Sequence, residues 1–259
     1  MRATVCQLQN ESRPFASDWD ELVEHVRDSR SELVLLPQLA FSPYFLQRNF
    51  NFDAWRSAIE AQGTWEHRLH ELAPAIVLGS RPIEFGNERY HEAYAWHPDD
   101  GIRSVHAQAF LPDSETAHDH SWFTDATPDF VPFDIGPLVL GFMFCSELSS
   151  RDEVSRYAAE HVHILATPRA TTAAEHEKCF ASARRTARHM GSYVISSNRI
   201  ADDGSFNGAG WIVDPRGNVL AMTSRDRPFE TLELDVGMLE RGTTSPIAER
   251  PPEFDHRRL

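Results

Sequence analysis

The chain has 259 residues, 41% hydrophobic and 25% charged, a composition that suits a globular protein with ample core for one large α/β domain or two small ones. Its 25 Lys and Arg stand against 39 Asp and Glu, a net charge of −14 that repels phosphate backbones, so nucleic acid is not an expected partner. The longest apolar runs, LVLLP and PLVLGFMFC, are too short to span a bilayer. MRATVCQLQ enters a strand pattern at once, without the apolar core of a signal peptide, so no membrane partner and a cytoplasmic location are expected.

Ala3 to Gln9 reads as a first strand. A helix follows over Trp19 to Arg30, with Trp19, Leu22, Val23 and Val26 at helical spacing and Ser17 or Asp18 placed to cap it. Residues 32–36 form a short buried strand ended by Pro37, and the aromatic loop 38–52 reads as pocket wall or dimer surface. A second helix is predicted over Phe52 to Ala73, with Gly63 a candidate break. PAIVLGSRPIEF, RYHEAYAWHPDDG and IRSVHAQAF read as strands, the last two joined by a hairpin at Asp99-Asp100-Gly101.

Beyond a polar loop, FVPFDIGPLVLGFMFC is a hairpin turning at Gly136-Pro137, and a helix is predicted over Arg151 to Glu160, leading into the strand HVHILATP. Thr172 to Met190 is a strong helix, capped by Thr172 and stopped by Gly191. GSYVISSNR is a strand, GWIVDPRGNVLAMTS a hairpin, and PFETLELDV the last strand. The segment 242–259 is Pro-rich and charged, an arm outside a single domain over residues 1–241. The order predicts an α/β fold with helices outside two central sheets.

Three strands end on residues that matter for chemistry: Gln38, Gln108 and Cys145. Buried strands of α/β proteins end in the crevice where ligands bind, so a thiol at position 145 stands where a nucleophile is useful; the alternative is a buried, inert cysteine. Cys6, Cys145 and Cys179 make no CxxC pair, and an odd, sparse set argues against disulfides, with Cys6 a core residue. His106 lies two residues before Gln108, hence on the same strand face, and His118, Asp119 and His120 occupy the next loop; a histidine could serve as base for Cys145. Arg169 follows a strand end and could pair with a substrate carboxylate or with Glu147. Trp122 and Phe123 read as wall, Asn198 and Arg199 as pocket floor or interface. His161 and His163 lack a cysteine or carboxylate at ligand spacing, and no metal or cofactor is expected.

Six segments in order, LVLLPQ, AQAFLPD, FCSEL, ATPRAT, VISSNR and GWIVDPRGNVLA, resemble those of the nitrilase (carbon–nitrogen hydrolase) superfamily over nearly the whole chain. The spacings agree as well, 108 − 38 = 70 and 145 − 108 = 37 residues. The resemblance implies an α-β-β-α four-layer sandwich that usually dimerises, so a small-molecule ligand or substrate and a homodimer or higher homo-oligomer are the expected partners. It also implies cleavage of non-peptide carbon–nitrogen bonds by a cysteine nucleophile, a glutamate base and a lysine that stabilises the oxyanion.

Carried over by position, Cys145 keeps the nucleophile, whereas the glutamate position holds Gln38 and the lysine position Gln108. A further acidic position corresponds to Asp119 or, in a competing alignment, Glu115, and Glu147 matches the acid just after the cysteine. A glutamine amide cannot accept a thiol proton, and lost base assistance costs about 10²–10⁴-fold. Removing one charge of a buried pair costs about 3–5 kcal/mol, but removing both leaves a neutral, hydrogen-bonded site. Ordinary amide hydrolysis is therefore expected to be absent or very slow. Two readings follow: altered chemistry centred on Cys145 with a small amide or acyl compound, or a non-catalytic protein that binds a small molecule or a protein partner. In a third, Glu147 or Asp119 takes over as base.

Overall fold

The structure, a computed structural model, describes residues 1–112 and 118–238; Glu115 and the arm at 242–259 lie outside the described residues. In chain order the strands are β1 (Arg2–Gln9), β2 (Leu33–Leu35), β3 (Ile76–Phe85), β4 (Glu88–His97), β5 (Gly101–Ala107), β6 (Phe133–Ile135) and β7 (Leu138–Phe142). They continue with β8 (Ile164–Ala166), β9 (Tyr193–Ser196), β10 (Asn198–Ile200), β11 (Trp211–Val213), β12 (Val219–Met222) and β13 (Phe229–Glu233). The helices are α1 (Ser12–Ser29), α2 (Phe52–Glu66), the short α3 (Asp119–Trp122), α4 (Arg151–Ala159) and α5 (Ala173–Met190).

Two sheets form, one ordered β10-β1-β2-β3-β4-β5 with β13 also on β1, the other β12-β11-β9-β8-β7-β6. Period-2 alternation explains how they stack. In β2, Leu33 and Leu35 face the core between the sheets, while Val34 and the following Leu36 face α1. In β7, Leu138, Leu140 and Phe142 face the same inter-sheet core, and Val139 and the following Met143 face α4 and α5. The result is helix, sheet, sheet, helix: the four-layer α-β-β-α sandwich.

Several elements differ from expectation. Helix α1 starts at Ser12 rather than Trp19, so Asp18 lies inside it and does not cap it; its carboxylate instead accepts the Gln9 N–H at 2.7 Å, tying the helix to the end of β1. Helix α2 runs through Gly63 and stops at Glu66, and a 3₁₀ turn at Leu69–Leu72 follows. GSYVISSNR is two strands: the chain leaves the second sheet at Ser197 and joins the first as β10, which pairs with β1. Ser197 makes that crossing possible, donating its hydroxyl to the Leu35 carbonyl (2.6 Å) and accepting the Cys6 N–H (2.9 Å). Helix α5 follows its sequence signals, with Thr172 and Glu175 forming a capping box and Gly191 in the left-handed region at φ 66°. Among the described residues no helix is long and apolar enough to cross a membrane.

Candidate active site

Strand direction brings the candidate residues to one edge. β2 is parallel to β3, and β4 is antiparallel to both β3 and β5, so β5 runs with β2. Gln38 therefore follows β2, and Gln108 follows β5, on the same side of the first sheet. In the second sheet β7 and β8 are parallel, which sets Cys145 and Arg169 beyond neighbouring strand ends. Among the bonds that join the edges, Gln38 N–H donates to the Arg169 carbonyl (3.1 Å), and Gln108 Nε2 donates to Ser146 Oγ (3.0 Å).

The loop at Gln38 is fixed by its backbone. The guanidinium of Arg199 donates to the carbonyl oxygens of Gln38 (2.9 Å) and of Leu39, while Leu39 N–H donates to Ser80 Oγ (2.9 Å). These bonds hold Leu39, a buried non-glycine residue, in the left-handed region at φ 49°. Arg199, expected at the pocket floor or an interface, is fully buried and also bonds Asn10 Oδ1 (2.8 Å).

Gln108 sits in a neutral chain of hydrogen bonds. Its Oε1 lies 2.7 Å from His91 Nδ1, and a carbonyl oxygen can only accept, so Nδ1 carries the proton. His91 Nε2 then accepts from Ser80 Oγ at 3.0 Å. Gln108 Nε2 donates to Ser146 Oγ and, at 3.5 Å, to the Phe110 carbonyl, which Ser146 Oγ also reaches at 2.8 Å. Both N–H bonds and the oxygen of the amide are thus engaged. Burial pushes His91 down to about 3, so it stays neutral in this network.

The thiols are the largest correction. Cys145 is bonded to Cys179 of α5, with Cα atoms 6.3 Å apart, against the expectation of three unpaired cysteines. Period 2 is the cause: beyond Val139 and Met143 it turns Cys145 outward, to the side of its sheet that α5 covers. Cys6 alone is free, buried against Leu35, with burial pushing its thiol up to about 12.

Glu147 is fully buried and saturated. Its oxygens accept from Phe144 N–H and Ala109 N–H, each at 2.8 Å, and from His106 Nε2 at 2.9 and 3.1 Å. His106 is thereby turned to Glu147 and packed on Phe130 and Phe144; among the described hydrogen bonds none joins it to Cys145. The expected pairing of Arg169 with Glu147 does not form. Arg169 donates instead to Ser196 Oγ (2.7 Å), Thr171 Oγ1 (2.6 Å) and the Ala209 carbonyl (2.5 Å), with its guanidinium 3.5 Å from the Trp211 ring. Burial holds its pKa well below the usual arginine value.

Asp119 is buried at the start of α3, and burial pushes its carboxyl up to about 6. His120 is half exposed and faces Asp125 at 3.8 Å. Trp122 donates to the Arg48 carbonyl at 2.5 Å and packs with Phe45 and Phe50, so the aromatic loop is a packed wall. Among the described residues, cavities of about 260 and 570 Å³ are lined by Arg81 and its neighbours and by Arg2, Arg27 and Arg30, away from Cys145. Of the residues the sequence reading missed, His91 carried a signal, since it shares the inward face of β4 with Ala93 and Ala95. Ser80, Ser146 and Cys179 carried none.

The family described as carbon-nitrogen hydrolase matches residues 2–240. A chloroplastic omega-amidase from Arabidopsis thaliana is 26% identical over 262 residues, covering 93% of this chain and 69% of that protein. Among solved structures, a carbon-nitrogen hydrolase from Helicobacter pylori G27 superposes with a TM-score of 0.79 at 19% identity, covering 93% of this chain and 91% of that one. A glutamate-to-glutamine mutant of the amidase from Nesterenkonia sp. AN1, with acrylamide joined by Michael addition to its active-site cysteine, has a TM-score of 0.75 at 17% identity and covers 93% and 96%.

Proposed function

The chain belongs to the carbon–nitrogen hydrolase family, and from that premise we propose that its reduced Cys145 is an acyl-accepting thiol that reacts with activated acyl compounds and other small electrophiles but does not hydrolyse ordinary amides. The observation that carries this reading is the saturation of Gln108 between His91, Ser146 and Phe110. An amide bond breaks only when the departing nitrogen gains a proton and the oxyanion is stabilised. Gln108 has no uncommitted N–H for the oxyanion, and neither Gln38 nor Gln108 can move a proton. Aryl-ester and thioester leaving groups depart as stable anions and need less help. Attack by the Cys145 thiolate on such a carbonyl forms a protein thioester and releases the phenoxide or thiolate, which takes up the proton the thiol lost. Water then lacks a base, so the thioester persists.

The Nesterenkonia mutant supports thiol addition in this fold where a glutamine replaces a glutamate. To test the reading, reduced protein is incubated with a p-nitrophenyl ester, acrylamide and a panel of small amides, and the intact mass is followed beside Cys145→Ala. Adducts from the ester and acrylamide that vanish in the variant, without steady ammonia release from amides, are expected. No Cys145-dependent adduct from any electrophile would overturn it. A second reading, a non-catalytic binding protein, is favoured by the bond from Cys145 to Cys179, which occupies the Cys145 sulfur.

A further inference from the structure

The geometry points to Cys145–Cys179 as a reversible thiol–disulfide site that opens and closes the nucleophile; this rests on the proposed role of Cys145 and adds the regulation of the same sulfur. The bond ties the turn that carries Cys145 to helix α5. Cys145 opens the 3₁₀ turn after β7 and is only partly buried, whereas Cys179 lies 8% exposed in the apolar layer with Ala183 and Ala187. Both backbones are held independently of the sulfurs. Helix α5 is fixed by its Thr172–Glu175 capping box and by Gly191, and the turn by the Glu147 carboxylate on Phe144 N–H. A Cα separation of 6.3 Å falls within the range that a disulfide spans without backbone movement, so the pair can join or part in place.

While joined, Cys145 Sγ has no thiolate to offer an electrophile. A small dithiol is the chemical class of reductant that releases it. Its thiolate attacks the more accessible sulfur, Cys145 Sγ; the bond to Cys179 breaks, and Cys179 leaves as a thiolate that takes up a proton. The second thiol of the dithiol then attacks its own sulfur in the mixed disulfide, and Cys145 leaves as a thiolate. Two electrons and two protons pass to the protein pair, and the dithiol becomes a cyclic disulfide. The same steps in reverse, with an oxidised dithiol, close the site.

The pair differs from a structural staple in one consequence. Opening it must expose Cys145 without unfolding the chain, because β7, α4 and α5 are joined by the packing of Val139, Tyr157 and Ala183.

The test equilibrates full-length protein at graded ratios of reduced to oxidised dithiothreitol, blocks free thiols with iodoacetamide, and locates the label by peptide mass, with circular dichroism followed in parallel. Label on Cys145 and Cys179 is expected to rise together with the reduced fraction and to fall again on oxidation, with secondary structure unchanged. Cys179→Ser is expected to label at Cys145 at every ratio. Thiols that stay free at the most oxidising ratio, or loss of secondary structure on reduction, would overturn the proposal. Iodoacetamide needs only a thiolate, so these outcomes do not depend on acyl chemistry; a pair that opens and closes while Cys145 refuses esters and acrylamide would overturn the proposed function alone.

Discussion

Gln108 sets the chemistry at the scale of single residues, because an amide can accept from His91 and donate to Ser146 at once. An ammonium only donates. A Lys there would oblige His91 to carry its proton on Nε2, so that Nδ1 accepts from the ammonium and Nε2 donates to Ser80 Oγ. The same scale shows what the sequence made legible. Gln38, Gln108 and Cys145 could be singled out because each ends a strand. Their partners could not, since His91 and Ser80 are 17 and 28 residues before Gln108 and meet it only through the β3–β4–β5 ladder. The pairing of Arg169 with Glu147 fails for a related reason: three neutral oxygens at hydrogen-bond distance occupy a guanidinium that the motif alone leaves open.

Asp119 gives the residue scale its pH test. Its folded pKa, about 6, lies above the unfolded value near 3.8, so between these values the folded chain holds the proton more tightly. The stabilisation is therefore complete below the unfolded value and is lost as pH rises through about 6, leaving a buried carboxylate. Asp119→Asn is expected to be more stable than the parent by about 2–3 kcal/mol at neutral pH, with the gain absent near pH 4, from urea unfolding at both values. An equal effect at both would show that the carboxyl titrates normally.

At the scale of elements, β7 organises the second sheet. Its outward positions alternate Val139, Gly141, Met143 and then Cys145, and the glycine has a reason: a Cβ there would stand 2.9 Å from a ring carbon of Tyr157. Tyr157 in turn donates its hydroxyl to the Phe142 carbonyl at 3.1 Å, locking α4 on the strand. Gly141→Ala is expected to lower stability by about 1–3 kcal/mol, read from the shift of the urea midpoint, because a fully buried ring must move. A neutral effect would mean that α4 is loosely seated. The alternation was readable in the sequence, and so was α5, from its cap to its glycine. What could not be read was their relative placement. Helix periodicity gives the face that Cys179 lies on, but not which strand end that face meets, so the disulfide emerged only from the packing.

At the scale of the whole molecule, the two sheets bring their strand ends together, and the Gln38–Arg169 and Gln108–Ser146 bonds close the seam. The four-layer architecture was legible because strand alternation and helix order are local signals summed over the chain. The crossing at Ser197 was not, since YVISSNRI holds no glycine or proline to mark the change of sheet. Around Gln108 the side chains that meet are an amide, hydroxyls and a neutral histidine, so this part of the seam lacks a proton carrier.

The most direct measurement is steady-state ammonia release from a panel of small amides, with the disulfide reduced, by the parent chain and by Gln38→Glu combined with Gln108→Lys. A neutral site without a proton carrier implies no steady release from the parent and measurable, Cys145-dependent release from the double variant, provided its melting curve shows a folded chain. Sustained, Cys145-dependent release from the parent, unchanged or diminished in the folded double variant, would contradict that reading.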